Sequence, residues 1–230
     1  MPEFNLDEFR GVTRLFPLKG MIMFPHAVVP LHIFEPRYRQ MTSDALASDR
    51  LITLIQPTSD QIPTPRGPLL ESIGCIGRII QHERLDDGRY NLLLAGIKRI
   101  RIISELNNPG KLYREAEAEL LLENNIDAVT PESFQEMVGR FADILNEAEP
   151  NHPGDTEIRR ILKTSRDPAM ISDLISQAIT LPPSIKQMIL SMTDVNFRVN
   201  YLLEILRMMT TPNIHQKLSE ATFPPKFSVN

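Results

Sequence analysis

From Thr13 to Leu122 the apolar positions come in short β-branched or aliphatic runs, punctuated by Gly, Pro, Asp and Asn. This spacing predicts strands over Thr13–Leu18, Val28–Phe34, Leu51–Gln56, Ile73–His82, Arg89–Ala95, Ile97–Ile103 and Tyr113–Leu122. The clearest hairpin is RIIQHERLDDGRYNLLLAG, in which Asp86-Asp87-Gly88 supplies a positive-φ turn between two hydrophobic arms. In the last strand Glu115, Glu117 and Glu119 alternate with Ala116, Ala118 and Leu120, so one face is wet and the other packed. One helix interrupts the region. Glu35-Pro36-Arg37 puts proline at a first helical position, and Tyr38, Met41 and Ala45 then share a side. The segment Gln56 to Leu70 carries prolines at 57, 63, 65 and 68, which predicts a long surface loop without a ladder, suited to act as a flap.

After Asn124 the apolar period lengthens to three or four. Thr130-Pro131 opens a helix running to about Ala148, where Pro150, Pro153 and Gly154 stop it. Asp155 caps a shorter helix carrying Ile158, Ile161 and Leu162. Asp167-Pro168 starts another, with Met170, Ile171, Leu174, Ile175, Ala178 and Ile179 as its stripe. Beyond Pro182-Pro183, Ser184 and Gln187 have capping-box spacing, and Asp194 caps a last helix with Val195, Val199, Leu202 and Leu206 in register. Strands first and helices second predict an α+β chain: a β-rich subdomain over 12–123, a helical bundle over 124–211 and an irregular tail over 212–230.

Composition narrows the chemistry. A net charge of -4 gives no overall basic footprint for nucleic acid, and 6% aromatics without tryptophan leave little for base stacking. Cys75 is the single cysteine, so no internal disulfide or thiolate zinc site is available, and the cytoplasm is the simplest address. Residues 1–10 lack a basic region leading into an apolar core, unlike a secretory leader. The one membrane candidate is LKGMIMFPHAVVPLHIFEPRY, uncharged between Lys19 and Glu35. It falls short of the roughly 20 residues of a spanning helix, and Pro25 and Pro30 would break one. No Gly-rich phosphate loop, H-E-x-x-H or serine elbow is present, and Cys75 lies in an apolar strand as a small hydrophobe would. No cofactor, metal or catalytic residue is expected.

The same uncharged stretch carries a family signature. RLFPLKGMIMFPHAVVPLHIFEPRYRQM resembles the start of the Lon protease N-terminal, substrate-binding domain family, with its apolar FP segment leading to an IFEPRY helix start. IGCIGRIIQHERLDDGRYNLLLAGIKRIRII is similar to that family's Gly-spaced strand, Asp-Gly hairpin and following strand. The helical half, DPAMISDLISQAITLPPSIKQMILSMTDVNFRVNYLLEIL, resembles its helix pair. No single motif is specific; order and spacing over roughly residues 12–210 carry the likeness. It implies a PUA-like β-rich pseudo-barrel followed by a helical bundle. In full-length Lon proteases an ATPase and a Ser-Lys peptidase follow this domain, and the remaining sequence has no room for them, so a stand-alone, non-enzymatic member is expected.

The resemblance implies recognition of unfolded or partner polypeptides, with a separate protease or ATPase as candidate collaborator. The candidate surface is Met21, Ile22, Met23, Phe24 and Pro25 together with Ile62 and Pro63 of the proline-rich segment, because methionine adapts to varied apolar partners; burial of the same stretch in the core or at a strand edge is the competing, and favoured, use. A rival reading is RNA or small-ligand binding through the PUA-like part, on a face of Arg78, His82, Arg99 and Arg101. Cross-strand pairing with Glu115, Glu117 and Glu119 is the competing use of those arginines. The oligomeric state and the partner's identity are not encoded in any visible pattern.

Overall fold

The computed structural model describes residues 9–58, 63–64, 67–147 and 155–210. The chain divides into two compact units, one of residues 1–122 with 176–193 and one of 123–175 with 194–230.

The first unit is built on β1 (Val12–Pro17), β2 (Val28–Ile33), α1 (Pro36–Leu46), β3 (Leu51–Ile55), β4 (Pro63–Thr64), β5 (Gly67–Pro68), β6 (Ile73–Arg84), β7 (Tyr90–Leu106) and β8 (Arg114–Leu120). The main sheet runs β2-β7-β6-β3-β1-β8, and β8 pairs back onto β7, so β7, β6, β3, β1 and β8 close into a ring with β2 on its flank. Closure removes the sheet edges that a ladder would otherwise leave open. β1 and β3 are parallel, Leu15 opposite Thr53; the other pairings in this sheet are antiparallel. The alternation read from β8 holds, with Ala116 and Ala118 buried and Glu117 and Glu119 exposed.

Two strands expected on either side of Gly96 are one continuous β7. Gly96 does not turn the chain; it admits another backbone. A Cβ there would lie 2.2 Å from the Phe24 carbonyl oxygen, and one at Gly77 would lie 2.9 Å from the Met23 Cε. Only glycine allows such an approach. The proline-rich segment also departs from expectation. Pro57 bridges to Leu70, and β4 and β5 form a small antiparallel pair with Pro63 opposite Pro68. Proline lacks a donor but keeps its acceptor, so it is tolerated in an isolated two-stranded ladder with no inner neighbour.

α5 (Pro183–Ser191) belongs to the sheet unit rather than to the bundle. Its Gln187 amide donates to the Ile73 carbonyl at 2.8 Å, and the buried Arg99 guanidinium donates to the Leu190 carbonyl, also at 2.8 Å. The capping box expected at Ser184 and Gln187 is absent: Pro182 is the N-cap, without a side-chain cap, and Gln187 is spent on the sheet. Consecutive prolines remove N–H groups that a capping side chain would have satisfied.

The second unit contains α2 (Pro131–Glu147), α3 (Asp155–Thr164), the first part of α4 (Pro168–Ala178) and α6 (Val195–Thr210). The Asp194 cap read from sequence is made, and side chains also cap the helix starts expected at Thr130 and Asp167, whereas Asp155 stands as the first residue of α3. Thr130 Oγ1 accepts from Ser133 N, Asp167 Oδ1 from Ala169 N, and Asp194 Oδ1 from Phe197 N at 2.8 Å. Glu136 joins α2 to α6 by a bidentate bond with Arg207, at 2.6 and 2.9 Å, and also accepts from Arg140. These arginines hold its carboxyl at about 2, well below the ordinary 4.5. Arg198 is fully buried and joins Glu123 at 2.5 Å, Ser172 at 2.9 Å and the buried Asp173 at 3.6 Å. The tail and the Pro150–Gly154 helix stop lie outside the described residues.

Candidate functional site

The stretch between β1 and β2 is an internal plug. Ile22, Met23, Phe24 and Pro25 are buried, Phe24 completely and Met23 to 1%, whereas Met21 keeps 37% of its surface exposed. The backbone is pinned on several sides. Leu18 N donates to Ile55 O, Gly20 N to the Gln56 side chain, Phe24 N to the Gln177 side chain and His26 N to Gly96 O. Each buried apolar side chain of this plug contributes roughly 2 kcal/mol of transfer free energy. The expectation that Ile22, Met23, Phe24 and Pro25 offer a surface is thus corrected in favour of the core: the uncharged run packs against β6 and β7 over Gly77 and Gly96. Ile62 lies outside the described residues, and the Pro63 backbone sits in β4.

An open depression of about 700 Å³ lies elsewhere in the same unit, lined by Lys19, Gly20, Gln56, Pro57 and Thr58, by Pro68 and Glu71, and by the first turn of α5 with Ser184 and Gln187. A second depression of about 180 Å³ shares Lys19, Pro57 and Pro68 with it and continues to Tyr38, Leu112 and Tyr113. The shared residues make the two depressions contiguous, and the pair is termed the track. Its walls are proline rings, a leucine exposed to 67% at position 112, and aromatic rings. Its polar groups are spaced along the rim.

The far end of the track is fixed by a three-member polar cluster. Asp44 Oδ2 accepts from Lys111 Nζ at 2.5 Å and from the Tyr113 hydroxyl at 2.8 Å. The Lys111 hydrogen bond chiefly lowers the Asp44 carboxyl from its ordinary value, while burial raises the Tyr113 phenol. The cluster therefore stays Asp⁻, Lys⁺ and neutral phenol at neutral pH, which suits orientation rather than proton transfer. Arg114 donates to the Pro68 carbonyl at 2.8 Å and pairs with Glu105, tying the β5 segment to β8. Arg37 lies over the Tyr38 ring, its carbon 4.7 Å from the centroid.

The rival face separates. Arg99 is buried to 1% and reaches Leu190, so it presents no charge to a ligand. Arg101 pairs with Glu119 at 2.7 Å, its register partner across β7 and β8. Arg78 is half-buried on β6, and His82 is exposed near the hairpin, beside a different depression lined by His32, Glu83 and Asn91. The four do not form one basic surface. Among the described residues no group of three or more His, Cys, Asp or Glu is arranged to hold a metal ion. Likewise, no described helix is long and apolar enough to cross a membrane.

Of the track residues, sequence reasoning had named only the proline-rich segment. Lys19, Gln56, Ser184, Leu112 and Tyr113 come from four distant stretches, and only the exposed apolar Leu112 beside the NNPG turn hinted at a surface role.

A closed β-ring with a plugged end, an α5 buttress and a separate helical unit define an α+β chain of the Lon N-terminal type. The family model for the ATP-dependent protease La (LON) substrate-binding domain matches residues 12–208, so the chain belongs to that family. Among curated relatives, the Lon protease of Escherichia coli strain K12 is 30% identical over 194 residues, covering 84% of this chain and 24% of the protease. The Lon protease of Desulfosudis oleivorans is 26% identical over 210 residues, covering 88% of this chain and 25% of the relative. The chain thus spans about a quarter of the length of these relatives. Two solved structures share the fold. The N-terminal domain of a Mycobacterium avium complex Lon protease superposes with a TM-score of 0.64 at 20% identity, over 85% of this chain and 98% of that one. The Lon N-terminal domain protein of Xanthomonas campestris gives 0.61 at 19% identity, over 84% and 97%.

Proposed function

We propose that this chain is a polypeptide-binding module that holds an extended, partly apolar segment along the track from α5 to Tyr113 and performs no hydrolysis itself. The observation that carries this reading is membership, over residues 12–208, of a family described as a substrate-binding domain. The geometry supports it. Proline and aromatic surfaces in the lining of the track suit side chains with little selectivity, and Lys19, Gln56 and Glu71 beside them suit main-chain or charged groups. A separate ATPase or protease, in the cytoplasm, is the fitting recipient of what is bound.

Fluorescence anisotropy with a labelled, permanently unfolded polypeptide tests the reading. Binding is expected for the wild-type chain, with a loss of about tenfold on Ser184→Arg, which places a long side chain at the track entrance. Binding of single-stranded RNA with steep salt dependence, or unfolded-chain binding indifferent to Ser184→Arg, refutes it. Casein incubated with the chain, with and without ATP, is expected to remain intact; turnover abolished by a point substitution overturns the non-enzymatic reading.

A further inference from the structure

The helical unit carries an opening that no use described above absorbs. A groove of about 660 Å³ runs between α2 and the α3–α4 connection, its floor made by Phe134, Val138 and Leu162. Gly139 of α2 also lines it. A Cβ at Gly139 would meet nothing within 4 Å among the described residues, so neither packing nor backbone geometry demands glycine there. Glycine in a helix interior costs about 1 kcal/mol relative to alanine. The sequence therefore carries a helix-weakening residue at an α2 position that lines this groove and has room for a side chain.

The rim supplies a second, independent observation. Lys163 and Arg166 border the groove, and no aspartate or glutamate lines it. Arg166 donates to the Lys163 and Ser165 carbonyls, bonds that orient its guanidinium without neutralising it. Neither cation forms an ion pair among the described residues. In a chain of net charge -4 this is a local concentration of positive charge beside an apolar floor.

We infer that this groove is a second polypeptide contact, specific for segments in which an apolar side chain is flanked by carboxylates: the apolar group enters over Gly139 and the carboxylates meet Lys163 and Arg166. The inference deepens the polypeptide-binding reading and rests on it. It adds a substrate preference that the proline-walled track, with both Lys19 and Glu71 on its rim, does not impose. A bound segment is recognised by charge-assisted hydrogen bonds at the rim and by burial at the floor.

The test uses the full chain and two labelled peptides with the same Leu-Phe centre, one flanked by aspartates and one by lysines, alongside the unfolded polypeptide. The aspartate peptide is expected to bind at low salt and the lysine peptide at least about tenfold more weakly. Gly139→Leu is expected to cut aspartate-peptide affinity about tenfold. Thermal stability is expected to be unchanged or higher, since the substituent points into open space and improves helix propensity. Lys163→Glu with Arg166→Glu should reverse the preference between the two peptides. Equal binding of both peptides, or unchanged aspartate-peptide affinity in Gly139→Leu while the unfolded polypeptide still binds, overturns this inference alone. Failure of the wild-type chain to bind any of the three overturns it together with the reading beneath it. Concentration-dependent self-association abolished by Gly139→Leu, with no peptide binding, assigns the groove to a second copy and equally overturns the inference.

Discussion

Replacing Arg198 by methionine removes the cation that faces Asp173 at 3.6 Å in the helical unit. Both side chains are fully buried, and Arg198 also bonds Glu123 and Ser172. Methionine matches the aliphatic stem of arginine, so the loss is mainly electrostatic: a carboxylate left in the interior beside an empty guanidinium site. Breaking a buried pair from one side costs about 3–5 kcal/mol. At roughly 2–4 °C per kcal/mol for a chain of this size, the melting temperature should fall on the order of 10 °C. Hydrogen exchange read on peptides of α4 and α6 localises the effect, because it reports the opening free energy of the helical unit separately from that of the barrel. Adding Asp173→Asn removes the stranded charge and should recover about half of the loss or more. The reasoning fails if Arg198→Met costs less than about 1 kcal/mol, or if the double variant is as unstable as the single one.

Two further outcomes follow from the same contacts. The Glu136 carboxyl is held at about 2 against an ordinary 4.5, so its contribution is fully present above the ordinary value and is lost as pH falls from 4.5 towards 2. Amide protection of α2 and α6 should decline over that window in the wild type, and Glu136→Gln should flatten that part of the acid profile; identical profiles would contradict it. At the barrel plug, Met23→Ala should cost about 2–5 kcal/mol by opening a cavity, whereas exposed Met21→Ala should stay within about 0.5 kcal/mol. Urea denaturation that ranks the two in the opposite order refutes the assignment of Met23 to the core.

The elements whose signals are local were legible in the sequence. Proline at the first position of α1, the Asp167 helix start, the Asp194 cap, the Asp-Gly hairpin and the Glu/Ala alternation of β8 each depend on residues within a few positions of one another. What was misread depends on partners far along the chain. Gly96 looked like a break between strands because glycine weakens a ladder, yet it is kept in mid-strand to admit the Phe24 backbone. Gln187 looked like half of a cap and instead holds Ile73, more than a hundred positions away. Arg99 and Arg101 share a strand face by parity, but one reaches α5 and the other pairs with Glu119. Periodicity reports a face; it does not report what lies over that face.

The same distinction separates family from function. Within the stretches that carry the family signature are residues that hold the chain together: Ile22, Met23, Phe24 and Pro25 plug the ring, Gly96 makes room for them, and Arg198 organises the buried polar cluster. Substitutions at these positions destabilise by named packing or charge mechanisms. The surfaces open to a ligand are furnished by Lys19, Thr58, Leu112 and Ser184 in one unit and by Gly139, Lys163 and Arg166 in the other. None of these residues is buried, so changes there leave the core undisturbed. Under the polypeptide-binding reading proposed above, specificity is to be tested along the track and the helical groove rather than in the stretch that carries the family signature.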